Sequence, residues 1–205
     1  MSERARVKTG STIERELVTI RDERIQIPDR ERLVHLQFRR FAGCPVCNLH
    51  LHSIVQRHDE ILEASIREIV VFHSSAEELL PYAGDLPFEV IADPHKQLYH
   101  DFGVESGLRS LLDPRAWKPM VQGVFRSLSA IRRKQEPVPP LNPQGGRLGL
   151  PAEFLIASDG VVVACKYGTH VYDQWSVNEI LELSKSERPF GRRCELTMRR
   201  AFRTG

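Results

Sequence analysis

The sequence predicts an α/β fold with a mixed central sheet and helices on both faces. Short β-prone apolar runs alternate with helix-patterned segments over residues 32–101, an order that favours right-handed βαβ units with helices packed on the sheet. Residues 16–27 hold two further β-prone runs separated by Arg21-Asp22-Glu23, which predicts an N-terminal β-hairpin. Ser158-Asp159-Gly160 joins two late apolar runs, and this Asp-Gly turn predicts a closing hairpin that makes the sheet mixed.

The predicted core strands are short apolar runs that end at charged or turn-forming residues. They cover residues 32–38, 68–73, 88–91, 153–156 and 161–166. In the first of these runs Val34, Leu36 and Phe38 alternate with His35 and Gln37, which is the two-residue period of a strand.

The predicted helices carry apolar residues at helical spacing. They cover residues 44–64, 76–80, 95–101 and 174–184, with Ser75 as the N-cap of the second. Residues 106–133 are also mostly helical in pattern, which predicts a helical insertion before the closing hairpin. A loop rich in proline and glycine over residues 134–149 follows the insertion, and its length is typical of a functional or mobile segment.

A single domain accounts for most of the 205 residues. We expect a flexible N-terminal arm over residues 1–15, a compact domain over 16–185 and a basic C-terminal tail over 186–205. The formal net charge of +2 gives no indication of nucleic-acid binding, and no apolar run is long enough to span a membrane. The first residues lack the apolar stretch of a secretory signal, which predicts a cytoplasmic protein.

The chemistry of the chain is predicted at Cys44-Pro45-Val46-Cys47, where a core strand passes into a helix. Unpaired N–H groups and the helix dipole stabilise a thiolate at this position, and we expect Arg39 and Arg40 just upstream to add positive charge. Cys47 follows one helical turn later and precedes the apolar Leu51 by four residues, so its sulfur should point inward. We therefore predict that Cys44 is the attacking thiolate and Cys47 the protected, resolving thiol.

Other interpretations of the motif remain open at this stage. His50 and His52 could join the two cysteines in a structural zinc site, although these histidines and His58 are more simply exposed helix residues. The disulfide could also serve a non-enzymatic redox sensor or binding module. Of the remaining cysteines, Cys165 is expected to be a small core residue and Cys194 an exposed thiol of the basic tail.

Three segments resemble the peroxiredoxin-like branch of the AhpC/TSA family. They are residues 36–47, 88–104 and 150–160, and the resemblance extends over roughly residues 16–185. It implies a thioredoxin-like fold and peroxide or disulfide chemistry without a cofactor, recycled by a thioredoxin-like or glutathione-like thiol reductant, and it leaves a homodimer open. It also implies that Cys44 is the active-site cysteine, that Cys47 is its partner, and that Pro151 is the cis-proline that faces them.

Two departures from the family pattern concern the substrate. Typical peroxiredoxins carry a proline and a threonine or serine seven and three residues before the reactive cysteine, whereas this chain has Gln37 and Phe41. The arginine that usually precedes the closing strand is not in register, and Arg147 is the nearest one. The hydroxyl that would orient a peroxide is therefore missing, and dithiol–disulfide exchange is unaffected. The sequence predicts a thiol-dependent oxidoreductase that reduces peroxides or protein disulfides.

Overall fold

The computed structural model describes most of the chain as one α/β unit. The described residues are 6–104 and 148–186, together with 121, 125, 132 and 146. The strands are β1 (Arg15–Val18), β2 (Arg24–Ile27), β3 (Leu33–Phe38), β4 (Ile66–Phe72), β5 (Glu89–Ala92), β6 (Ala152–Ile156) and β7 (Val162–Tyr167). The helices are α1 (Pro45–Gln56), α2 (His58–Glu63), α3 (Ala76–Ala83), α4 (Gln97–Asp101) and α5 (Val177–Ser186).

The central sheet has five strands in the order β5-β4-β3-β6-β7. β3, β4 and β5 are parallel, whereas β6 and β7 run antiparallel to their neighbours, so the predicted mixed sheet is confirmed. In the register of the sheet, Leu36 lies between Ile69 of β4 and Phe154 of β6. β3 is thus the middle strand, and both of its faces are buried.

The two faces of the sheet pack against different elements. One face, with Leu36 and Phe38, contacts Tyr99 and Phe102 around α4 and the β1–β2 hairpin, whose Ile27 is buried. The opposite face packs apolar side chains of α1, α3 and α5 against β4. Helices therefore cover both faces, as predicted, because each face offers an apolar surface that must be removed from water.

Two helix boundaries differ from the predictions for local reasons. The helix predicted over 44–64 is two helices, because Arg57 leaves the helical region with φ −119° and ψ 23°. Its guanidinium bonds Glu60 at 2.7 and 2.6 Å and Asn178 at 2.7 Å. The last helix starts at Val177 rather than at residue 174, because the Trp175 backbone is bonded to buried side chains instead.

The N-terminal segment differs from the predicted flexible arm at residues 10–13. Gly10 N–H donates to Val162 O at 2.8 Å, and Ile13 N–H donates to Gly160 O at 2.8 Å, so this stretch is attached to the β6–β7 hairpin. Gly160 has φ +86°, and a Cβ there would lie 2.8 Å from Ile13 O, so glycine permits this approach. The side chain of Ile13 is buried in the core.

Three predicted features lie wholly or largely outside the described residues. They are the helical insertion over 106–133, most of the loop over 134–149 and the basic tail beyond Ser186. Within the part of the chain that is described, none of the helices is long and apolar enough to cross a membrane.

Truncating the buried face of α1 should destabilise the whole domain. Ile54 is 0% exposed and packs against β4, so we expect Ile54→Ala to lower the free energy of unfolding by about 2–5 kcal/mol. Leu62→Ala on α2 is the matched control, because Leu62 is 45% exposed and its loss should cost well under about 1 kcal/mol. Urea unfolding followed by circular dichroism measures both, and equal effects would contradict the assigned face of α1.

Candidate active site

The thiol motif lies at the point where β3 passes into α1. Cys44 is the N-cap residue of α1 in an extended conformation, with φ −62° and ψ 114°, and Pro45 occupies the first turn. Proline is suited to this position because its fixed φ matches the helix and its missing N–H would have no helical partner. Gly43 has φ +70°, a conformation that glycine adopts without steric cost, and it turns the loop toward the helix.

The two thiols are both reduced and both 1% exposed. Burial alone would raise the pKa of Cys44, but several groups outweigh it: the Cys47 thiol, the positive charge of Arg40, and the N–H groups of Cys47 and Val46. Together they lower the pKa of Cys44 to about 6. Burial, the hydrogen bond to Cys44 and the negative charge of Cys44 raise the pKa of Cys47 well above its usual range. At neutral pH the pair therefore holds one thiolate and one thiol.

An apolar cluster encloses the thiols. Phe41, Val46 and Val171 are its buried members besides the cysteines, and Tyr172 packs on it from the segment that precedes α5. The Arg40 guanidinium lies 5.4 Å from the centroid of the Phe41 ring. The predicted supporting residue Arg40 is therefore close to the motif, and the aromatic ring of Phe41 occupies the position at which typical peroxiredoxins carry a threonine or serine hydroxyl.

The loop before the motif is held by groups that the sequence analysis did not identify. Ala42 N–H donates to the buried Ser74 Oγ at 3.0 Å. His73 N–H donates to Arg40 O at 3.1 Å, and Tyr99 Oη donates to Arg39 O and, at 3.0 Å, to Val71 O. These residues follow β4 or lie in α4, so only the three-dimensional fold brings them to the loop.

A buried polar network lies on the sheet face that α1 covers. Arg39 is 0% exposed, and its guanidinium forms an ion pair with Glu153 of β6 at 3.0 Å and bonds His50 Nδ1 of α1 at 3.0 Å. Glu153 accepts a further hydrogen bond from Trp175 N–H. The His50 Nε2–H donates to Trp175 O at 2.8 Å, so the imidazole ring connects the Arg39 guanidinium to the Trp175 backbone.

The network continues along β3 toward β4. The Arg39 guanidinium donates to Gln37 Oε1, and Gln37 Nε2 donates to Glu68. The same Glu68 carboxylate accepts from His35 Nδ1 at 2.8 Å. His35 and Gln37, the polar residues that alternate along the predicted strand, thus belong to the same buried polar network as Arg39.

The prediction that His50 is an exposed helix residue is wrong. His50 is 4% exposed, and burial followed by the charge of Arg39 lowers its pKa well below the usual range. Both ring nitrogens are committed, Nδ1 to Arg39 and Nε2 to Trp175 O, so neither is available to a metal ion. His52 and His58 are half-buried. Among the described residues, no group of three or more His, Cys, Asp or Glu side chains could hold a metal.

The prediction that a cis peptide bond precedes Pro151 is wrong. Within the described residues the cis bond is Ile27–Pro28, and Pro151 follows a trans bond. Pro151 O accepts from Gly168 N–H at 2.9 Å, and a Cβ on Gly168 would lie 2.7 Å from Pro151 Cγ. The proline is therefore held against the segment after β7, which carries Val171 over the thiols.

Of the two other cysteines, the structure describes Cys165, which lies apart from the motif. Cys165 is half-buried in β7 and packs against the core cluster, beside Thr9 Oγ1 at 3.9 Å. Cys194 lies outside the described residues, as does Arg147.

A cavity of about 200 Å³ adjoins the first turns of α1. Gly43 and Pro45, on either side of Cys44, contribute to its wall, and Tyr82 and Leu86 face them from α3 and the residues after it. The cavity offers apolar and polar groups together, which suits an organic substrate better than a free ion.

Comparison with known proteins finds one family. The family model described as AhpC/TSA antioxidant enzyme matches residues 53–170, more than half of the chain. The matched range begins after Cys47 and does not include the thiol pair. No curated protein matches the sequence.

Solved structures share the fold at low sequence identity. The peroxidoxin BcpB from Mycobacterium tuberculosis has a TM-score of 0.61 at 16% identity, covering 88% of this chain and 98% of its own. The reduced 2-Cys peroxiredoxin of Plasmodium vivax has a TM-score of 0.58 at 15% identity, with coverages of 89% and 82%. A protein described as a putative thiol:disulfide interchange protein DsbE, from Chlorobium tepidum, has a TM-score of 0.54 at 16% identity, with coverages of 89% and 98%. These likenesses establish the thioredoxin-like fold.

Alkylation of Cys44 should titrate well below an ordinary thiol. We expect the rate of reaction with iodoacetamide, followed on the Cys44 peptide by mass spectrometry, to rise with a midpoint near the pKa of about 6. Arg40→Gln should move the midpoint up by roughly one unit, because it removes a nearby positive charge. Arg24→Gln on the exposed hairpin is the control. A wild-type midpoint near that of a free thiol, about 8.5, would contradict the assigned electrostatics.

Breaking the Arg39–Glu153 pair on one side should cost more than replacing both partners. Glu153→Leu should lower the free energy of unfolding by about 3–5 kcal/mol, because it leaves a buried guanidinium without its counter-ion. Adding Arg39→Met should recover a large part of that loss. Glu182→Leu and Lys185→Met, in an exposed pair, form the control cycle with coupling below about 1 kcal/mol. Additive effects in the buried cycle, measured by urea unfolding, would rule out the network.

Proposed function

Because the chain belongs to the AhpC/TSA antioxidant enzyme family, we propose that it is a thiol-dependent oxidoreductase that works through a Cys44/Cys47 dithiol–disulfide couple. The observation that carries the proposal is the opposite displacement of the two pKa values within one helical turn. A lowered pKa supplies the nucleophile, and a raised pKa keeps the second thiol protonated until the first has reacted.

The first step is attack by the Cys44 thiolate on a disulfide of the substrate. A Cys44–substrate mixed disulfide forms, the substrate S–S bond breaks, and one thiolate leaves. The Cys47 thiol then loses its proton and attacks the Cys44 sulfur, which releases the second thiolate. The protein ends as the Cys44–Cys47 disulfide, and the two electrons of the dithiol have passed to the substrate.

A hydroperoxide would follow the same order. The Cys44 thiolate attacks the peroxide oxygen, the O–O bond breaks, and a sulfenic acid and an alcohol or water result. Cys47 then displaces the sulfenic oxygen as water and forms the same disulfide. Either cycle closes when an external thiol reductant of thioredoxin or glutathione type returns the disulfide to two thiols.

The surroundings of Cys44 favour a disulfide substrate over a peroxide. The positions at which peroxiredoxins carry a hydroxyl and a proline hold Phe41, whose ring contacts Arg40, and Gln37, whose amide is bound to Glu68 and Arg39. Neither can orient a peroxide oxygen.

We infer that residues 16–185 form the catalytic domain. We also infer that the protein works in a reducing compartment such as the cytoplasm, where thiol donors are kept reduced.

Thiol trapping with mass spectrometry tests the couple directly. Mild oxidation of the full chain by peroxide or by a small disulfide should produce a Cys44–Cys47 disulfide. Cys44→Ser should abolish turnover, because no nucleophile remains, whereas Cys47→Ser should trap a mixed disulfide or a sulfenic acid on Cys44. Cys165→Ser is the matched control and should leave the rate unchanged.

Turnover assays then separate the substrates. We expect faster reduction of a disulfide than of a hydroperoxide when each is coupled to a thioredoxin or glutathione recycling system. Failure of the disulfide to form would refute the couple. A disulfide that forms without turnover of either substrate would indicate a redox sensor instead of an enzyme.

A further inference from the structure

A small cavity lies at the carboxyl end of β4, apart from the thiols. His73, Lys96, Tyr99 and Gly149 contribute to its wall, and its volume is about 30 Å³. This space is enough for one or two water molecules or for one monatomic anion.

The imidazole of His73 is the unexplained group of this cavity. The residue is 0% exposed, and within the described chain neither Nδ1 nor Nε2 has a hydrogen-bond partner. Its ring packs edge-on against Tyr99 at 5.5 Å between centroids, but the Tyr99 hydroxyl is committed to the backbone of Arg39 and Val71. Buried polar atoms are rarely left unpaired, so the pair of orphaned nitrogens indicates an occupant.

The charges around the cavity are positive. Lys96 is half-buried, and across the described residues its ammonium group makes no hydrogen bond or ion pair. Burial lowers the pKa of Lys96, and the negative charge of Asp93 only partly opposes that shift, because the Asp93 carboxylate oxygens already accept the N–H groups of Gln97 and Leu98 at 2.9 and 2.8 Å. Lys96 is also held in the left-handed region with φ +57°, which is uncommon for a side chain of this kind and is found at functional sites.

Gly149 keeps the space beside His73 open. A Cβ at this position would lie 3.2 Å from His73 Nε2 and 3.6 Å from Arg40 Cγ. Burial, followed by the charges of Lys96 and Arg40, lowers the pKa of His73 to about 3, although its own backbone opposes the shift. The ring is therefore neutral and offers one N–H donor next to an unpaired ammonium group.

We propose that this cavity binds one small monovalent inorganic anion, of the size of chloride, between the His73 N–H and the Lys96 ammonium group. The anion supplies the acceptor that the imidazole lacks and a direct ion-pair partner for the Lys96 ammonium group. The charge of Arg40 acts on both His73 and Cys44, so an anion here offsets part of the positive potential at the thiols. The site thereby links the halide concentration to the fraction of Cys44 that is ionised.

Halide binding can be measured on the full chain without turnover, so failure of the redox proposal would not affect it. In gluconate buffer of constant ionic strength, added chloride or bromide should shift the ¹⁵N resonances of the His73 ring saturably. Crystals soaked in sodium bromide should show an anomalous peak in the cavity. The midpoint of Cys44 alkylation should rise by roughly half a unit at saturation, because the field of Arg40 is partly screened.

Substitutions in the wall of the His73 cavity test whether halide binding depends on this site. Lys96→Asn removes the charge while keeping a residue that tolerates the left-handed backbone, and should weaken halide binding by about tenfold or more. Gly149→Ala should abolish binding by filling the space beside Nε2. Lys185→Asn on the exposed face of α5 is the control and should bind as the wild type does.

Three results would overturn the proposal. They are equal His73 responses to chloride and gluconate, water alone in the cavity of the bromide-soaked crystal, and wild-type affinity in a folded Lys96→Asn variant. Circular dichroism establishes that each variant is folded. The wild-type titration and the soaked crystal decide the question even if both cavity variants fail to fold.

Discussion

The buried Arg39–Glu153 ion pair is the constraint on which the rest of the site depends. A guanidinium and a carboxylate without solvent contact are costly to desolvate, and further hydrogen bonds offset part of that cost, although Arg39 Nε and Nη1 have no partner among the described residues. Here the pair joins the end of β3 to β6, and His50 and the Trp175 backbone connect it to α1 and to the segment before α5. The pair therefore lies at the carboxyl end of β3, where the loop that carries the thiols begins.

Adjacent residues at that strand end serve two different environments. Arg39 lies in the polar layer inside the sheet face, whereas Arg40 lies against the Phe41 ring and lowers the pKa of Cys44. Successive side chains of an extended chain point to opposite sides, so two neighbouring arginines can supply a structural and an electrostatic charge. The low pKa of Cys44 follows from the Cys47 thiol and from this placement of Arg40, together with the N–H groups at the start of the helix, whereas Arg40 opposes the raised pKa of Cys47.

The sequence was sufficient for the features that depend on local pattern. The core strands, the Ser75 cap and the Asp159-Gly160 hairpin are found close to their predicted positions, because periodicity and turn chemistry act over a few residues. The features that the sequence did not predict, the burial of Arg39 and of His50, depend on partners distant in sequence. Arg39 is buried against the Glu153 carboxylate, and His50 is buried against the Trp175 carbonyl. A glutamate within the otherwise apolar run of residues 152–156 was the available signal for a buried cation.

The enclosure of the thiols has a consequence for selectivity. Cys44 is ionised yet only 1% exposed, and Val171 and Tyr172 close over it from the segment that Gly168 and Pro151 hold in place. A reagent must part this cover before it meets the sulfur, so reaction rates depend on molecular shape as well as on electrophilicity. In a free thiolate, high nucleophilicity and full accessibility to oxidants occur together. Here the fold preserves the nucleophilicity of the sulfur and restricts its accessibility.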